Sequence, residues 1–310
     1  MVSPIAAVIG AGTMGHGITQ VFAQHEWAVS LVDKDERILK EATSKIALNL
    51  RTLVECGVIE SDAICSVLSR ITPTVHLAQA VKNAQYVTEA VPEDVDLKKQ
   101  IFKLLDENTH EETVLASNTS GLDIDLIASS TSTPERVIGT NWWNPPHITP
   151  LVEIMVGRQT SRETIERTKS ILEEVGKKPI TLLKAIPGFI GNRLQIALLR
   201  EALSLVAKGF VSVEDIDRAV KYGPGFRWAA YGPLEVADFG GLDVFHTLAQ
   251  DLYPSLDSST EVKGVLEELV RQGHRGVKSG RGFHDYSNTN IASLLSERDR
   301  KLLSISRLRL

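Results

Sequence analysis

The stretch IAAVIGAGTMGHGITQVFAQHEWAVSLVD, residues 5–33, decides the fold. Residues 5–9 form a short apolar run that stops at Gly10, the pattern of a strand buried on both faces. Gly10, Gly12 and Gly15 follow with G-x-G-x-x-G spacing, and apolar residues then recur at helical intervals. A second apolar run closes on Asp33, about 18 residues past Gly15. Strand, glycine loop, helix, strand and terminal acid together make up the context in which these glycines have a mechanical job. Gly10 permits the tight turn, Gly12 lets the backbone approach a pyrophosphate, and Gly15 lets helix and strand pack closely. The helix start adds free N–H groups and the positive end of a dipole. Asp33 suits a ribose 2′-hydroxyl and repels a 2′-phosphate, so NAD is expected rather than NADP. Lys34 and Arg37 are the neighbours that would relax that preference, and Thr13 and Met14 complete the candidate cofactor contacts.

Outward from this unit, strands and helices alternate. Strand-like runs occur at 71–75, 84–92, 113–120 and 136–143, with a long helical excursion over 36–68 and an amphipathic helix over 97–109. The alternation predicts a Rossmann-type, mainly parallel sheet covered on both faces. The pattern changes near 184–187. Pro187 opens a helix, apolar almost all round, that stops at Gly209; Ser212 and Asp215 form a capping box for the next. No strand pattern of any length follows, and the tail 296–310 reads as a charged, frayed helix end. The expected architecture is α/β: an NAD-binding domain over 1–186, then an all-α domain over 187–310.

Composition narrows the function. A net charge of −5 argues against a nucleic-acid binder, which would show a basic stripe. Cys56 and Cys65 form no ligand or disulfide framework, and the eight histidines show no metal-binding spacing, so no metal is expected. No apolar run reaches the roughly 20 residues of a membrane span, and the start lacks a basic leader region. A reduced, cytoplasmic setting is the default expectation, with neither membrane nor nucleic acid as partner.

Further motifs occur in order: GAGTMGHGI, EAVPEDVDLKKQIF, SNTS, WNPPHITPLVEI, PGFIGNRL and GVKSGRGFHDY. Together they resemble the 3-hydroxyacyl-CoA dehydrogenase family, including its branch acting on free 3-hydroxy acids, over nearly the whole chain. The resemblance implies a homodimer formed through the helical domain and hydride transfer between a 3-hydroxyl carbon and the nicotinamide. The substrate would be a small molecule, a 3-hydroxy acid or its CoA thioester. It places Glu93 and Lys98 near the cofactor ribose and nicotinamide, and Asn118 against cofactor or substrate. It places Ser120 on the substrate oxygen, Asn192 at the active site from the second domain, and Lys278 near the cofactor.

One residue departs from the family pattern. The family's proton carrier is a histidine three residues before the Asn-Pro, held by an acid in the following strand. Glu153 is the matching acid, but the histidine position holds Asn141, and the spacing shows no gap that would explain this away. Alcohol oxidation needs a base with a pKa near 7, and an amide cannot take a proton at neutral pH. Three readings stay open. The chain is a substituted, weakened dehydrogenase; or it uses another base or a substrate that needs none; or it is a non-catalytic NAD-binding protein of the crystallin type. His147, beyond Pro145 and Pro146, is expected to be a surface or packing residue rather than a stand-in base. Trp142 and Trp143 point to opposite faces of a regular strand, and both are expected in core packing.

Overall fold

The computed structural model describes residues 3–184, 186–262 and 264–307. Two compact units part between Ile190 and Gly191. The first is built on an eight-stranded sheet in the order β3-β2-β1-β4-β5-β6-β7-β8. Its strands are β1 Ile5–Ile9, β2 Ala28–Val32, β3 Ile71–Thr74, β4 Tyr86–Glu89, β5 Val114–Ser117, β6 Val137–Trp142, β7 Leu151–Met155 and β8 Lys178–Thr181. Every pairing is parallel except β6 with β7. The strand order reverses at β1, and the crevice beyond the strand ends at such a point is where open parallel sheets bind ligands.

The covering helices are α1 Gly15–Gln24, α2 Glu36–Glu55, α3 Ala63–Ser69, α4 Leu77–Val81, α5 Val95–Asn108, α6 Ile124–Ala128 and α7 Arg162–Glu174; α8 Phe189–Ala207 runs on into the second unit. Local chemistry starts them. Asp35, Asp94, Asp123 and Ser161 each accept a backbone N–H in the first turn of the helix that follows. The expected excursion over 36–68 breaks in two because Gly57 takes a φ of +64° and donates to the Val54 carbonyl, the usual helix-ending turn. The helix α7 and strand β8 were not anticipated. β8 is a short edge strand (KPIT) carrying a proline, a weak pattern that only its pairing with β7 makes a strand.

Phe22 of α1 packs against Tyr86 and Trp142, with ring centroids 5.5 and 6.1 Å away. A separate buried cluster joins Phe102 and Leu105 of α5, Ile124 and Ile127 of α6, and Phe189. Two glycines are dictated by close approach. A Cβ on Gly15 would lie 1.7 Å from the Gly10 carbonyl oxygen, and one on Gly17 would lie 2.5 Å from Cγ of Pro146. The second contact ties α1 to the turn after β6, and sequence reasoning did not single Gly17 out.

The second unit is helical: α9 Val213–Tyr222, α10 Pro224–Trp228, α11 Pro233–Gly240, α12 Leu242–Leu252, α13 Val265–Arg271 and α14 Ile291–Arg307. Its described residues hold only isolated bridges, Gly276 to Arg281 and Arg281 to Asp285. The end of the tail expected to fray, 308–310, lies outside the described residues, as does residue 185 in the expected boundary segment. Leu194, Ile196, Phe210, Phe226, Leu234 and Phe239 are all exposed in the single chain. No helix among the described residues is long and apolar enough to cross a membrane.

Candidate active site

The ends of β1, β2, β4 and β5 surround one cavity of about 650 Å³. Gly10, Gly12, Thr13, Met14, Asp33, Glu93, Asn118 and Ser120 all line it. Gly10 has a φ of +100°, which glycine alone adopts at ease, and a Cβ there would meet the Ala90 carbonyl oxygen at 2.7 Å. A Cβ on Gly12 would meet nothing within 4 Å, so the loop backbone is bare toward open space at that point. Asp33 accepts the Ala11 N–H at 2.9 Å and so holds the loop to the end of β2. The residues fit a dinucleotide: a bare glycine loop opens a helix and an acid stands at the next strand end. NAD held here would set its pyrophosphate on the loop and its adenosine ribose on Asp33.

Glu93 and Lys98 belong to a network that starts one strand-end earlier. Lys98 is wholly buried, and its Nζ donates to Oε1 and Oε2 of Glu89 at 2.7 and 2.9 Å. It also lies 3.4 Å from Oε2 of Glu93. Glu89, equally buried, accepts the Ser117 hydroxyl at 2.6 Å and the Val91 N–H at 2.7 Å. Burial pushes the Glu89 carboxyl above its ordinary range, while the Lys98 ammonium and these donors pull the other way. Glu93 reaches the cavity and accepts the Thr119 hydroxyl at 2.5 Å and the Ser120 N–H at 2.8 Å. Lys98, expected near the cofactor, does not line the cavity; it contacts Glu93, which does. Sequence reasoning missed Glu89, Ser117 and Thr119. The available signal was an acid inside an apolar strand, which needs a partner to be buried.

The next strand end carries the second cluster. Asn141 and Glu153 are register partners across the antiparallel β6–β7 pair. Nδ2 of Asn141 donates to Oε2 of Glu153 at 2.9 Å, and Nε1 of Trp143 donates to the same oxygen at 3.0 Å. Oε1 accepts the Ile190 N–H at 2.8 Å. That N–H belongs to the first turn of α8, where backbone donors lack helical acceptors. The PGF segment aims it: Gly188 and Phe189 have φ of +77° and +53°, and the buried Phe189 ring anchors the bend. Asn118 ties this cluster to the cavity by accepting the Trp142 N–H on Oδ1 at 3.0 Å.

The two tryptophans diverge. Trp142 is core, as expected, but half-buried Trp143 holds a site carboxylate, which corrects the core-packing expectation for it. A residue two positions from Asn141 on the same strand face was the signal. His147 sits toward α1, its Nδ1 3.5 Å from where a Cβ on Gly17 would lie. Trp142 packs against α1 as well, and strand alternation turns Asn141 to the opposite side. Asn192 lies on α8 two residues past Ile190, half-buried, and Lys278 is exposed on a 3-10 turn; both are in the second unit. No group of three or more His, Cys, Asp or Glu among the described residues can hold a metal ion.

Sequence comparison adds to this geometry. The profile described as "3-hydroxyacyl-CoA dehydrogenase, NAD binding domain" matches residues 5–186, and that described as its C-terminal domain matches residues 188–286. The chain is 32% identical over 302 residues to a 5-formyl-3-hydroxy-2-methylpyridine 4-carboxylate 5-dehydrogenase of Mesorhizobium japonicum, covering 97% of each chain. It is 36% identical over 282 residues to a 3-hydroxybutyryl-CoA dehydrogenase of Clostridioides difficile, covering 91% of this chain and 99% of that one. A crystal structure of a 5-formyl-3-hydroxy-2-methylpyridine 4-carboxylic acid 5-dehydrogenase, described as an NAD+ dependent dismutase, superposes with a TM-score of 0.91 at 32% identity. That superposition covers 99% of this chain and 98% of the other.

Proposed function

The chain belongs to the 3-hydroxyacyl-CoA dehydrogenase family, and from that premise we propose that this NAD-dependent oxidoreductase acts on a 3-hydroxy acid or its CoA thioester, with Asn141 standing where the family's proton carrier stands. The observation that carries the reading is the Asn141–Glu153 pair at the strand end beside Asn118. NAD, when bound, supplies the hydride acceptor. The chain's own residues bind and orient. Ser120 offers a hydroxyl to the substrate oxygen from the cavity wall, and Glu93 fixes the backbone there by accepting the Ser120 N–H. Glu153 holds the residue at position 141 in place, as it would hold an imidazole.

At position 141 the hydroxyl proton has no acceptor. Asn141 Oδ1 accepts a hydrogen bond but not the proton. Losing general-base catalysis costs on the order of 10²–10⁴ in rate, so slow turnover is the expected behaviour of this chain. His147, whose Nδ1 lies 3.5 Å from where a Cβ on Gly17 would be, is read as a packing residue of the α1 side.

The test is a panel of free 3-hydroxy acids and 3-hydroxyacyl-CoA thioesters assayed with NAD, with NADH binding followed by nicotinamide fluorescence. Slow but measurable oxidation of one class supports the reading and selects free acid or thioester. Normal NADH binding with no turnover of any member supports the non-catalytic, crystallin-type role instead.

A homodimer in the cytoplasm completes the proposal. Exposed Leu194, Ile196 and Leu198 on α8, with Phe226 and Phe239, support an apolar contact between copies, and among the described residues neither Cys56 nor Cys65 forms a disulfide.

A further inference from the structure

We propose that this site holds its substrate as the alcohol in preference to the ketone, because Asn141 is fixed with its amide oxygen as the end left for the substrate. The inference rests on the reading of position 141 given above and adds a direction to it. Oε2 of Glu153 takes Nδ2 of Asn141 at 2.9 Å and the Trp143 indole N–H at 3.0 Å. A flipped amide would set Oδ1 against that carboxylate oxygen, two acceptors with no proton between them. The nitrogen end is therefore committed to Glu153, and Oδ1 lies at the other end of the amide.

An alcohol donates to such an oxygen, whereas a ketone meets it acceptor to acceptor. An imidazole at the same position would serve both forms, accepting from the alcohol when neutral and donating to the ketone when charged. An asparagine serves one. Trp143 contributes a further neutral donor to Glu153, beside Nδ2 of Asn141 and the Ile190 N–H.

The experiment is equilibrium binding by calorimetry on the full chain, saturated with ADP-ribose so that no hydride can move. The ligand pairs are 3-hydroxybutyrate against acetoacetate, and 3-hydroxybutyryl-CoA against acetoacetyl-CoA. The alcohol member of the pair that binds is expected to be tighter by about tenfold, the worth of one hydrogen bond. Asn141→Leu, which removes the acceptor at similar size, is expected to abolish the preference. Glu153→Gln, whose amide can donate to Oδ1 and let Asn141 turn, is expected to abolish or reverse it. Equal binding of both members, or tighter ketone, in the natural chain overturns the inference and leaves the proposed function standing. No binding by any of the four ligands counts against the proposed substrate class and removes the inference with it.

Discussion

At the scale of single residues, the glycine loop was legible because each residue there answers a local demand. Gly10 and Gly15 must be glycine for backbone reasons visible in spacing alone, and Asp33 must end the next strand. Trp143 was not legible. Its meaning depends on a carboxylate ten residues away that only the β6–β7 pairing brings to it. Asn141 is singled out only by resemblance, since an asparagine at a strand end says nothing by itself. Asp33 supplies the prediction at this scale. Asp33→Ala removes the proposed ribose acceptor and the clamp on Ala11, so NAD affinity should fall about tenfold or more. NADP affinity should fall less, because a repulsion goes with the same carboxylate. Equal losses in titrations of the two cofactors would count against the ribose role.

At the scale of elements, the site depends on joints between strand ends that are far apart in sequence. Lys98 on α5 joins the end of β4 to Glu93, and Ser117 at the end of β5 joins the same cluster. The α/β alternation predicted these strands, but strand order, and hence which polar groups meet, was not fixed by periodicity. Lys98 was therefore placed at the cofactor by resemblance, while the structure buries it beneath Glu93. Lys98→Met leaves Glu89 buried without its cation and should cost about 3–5 kcal/mol of stability. Lys98→Met with Glu89→Met removes both charges and should recover most of that loss. Urea unfolding of the three proteins is the check, and a single-substitution cost below about 1 kcal/mol would show that the pair is not paired as described.

At the scale of the whole molecule, the buried cation behind the site should leave a mark on the pH dependence of stability. Lys177 is buried, donates to the carbonyls of Pro146 and Thr149 at 2.6 and 3.0 Å, and lies 5.3 Å from the Trp142 ring. Burial pushes its pKa down from 10.5 to about 8. The native state then gives up this proton more readily than the unfolded chain. Below pH 8 both states keep it and the burial penalty is present in full. Between about pH 8 and 10.5 the penalty lifts, so this group makes stability rise with pH. The gain is at most about 3 kcal/mol, reduced by the carbonyls and the indole, which favour the charged form. The slope of unfolding free energy against pH in that window should be more positive for the natural chain than for Lys177→Met. Identical slopes would contradict the assignment.

Position 141, proposed as a vacated proton-carrier site backed by Glu153, is the centre of the chemistry. The most direct measurement is the single-turnover rate of NAD-dependent oxidation of the accepted 3-hydroxy substrate, followed through nicotinamide absorbance. It compares the natural chain with Asn141→His and with Asn141→His combined with Glu153→Gln. Asn141→His should raise the rate at least about tenfold, and adding Glu153→Gln should remove most of that gain. An unchanged or lower rate for Asn141→His, with NADH binding intact, would contradict it.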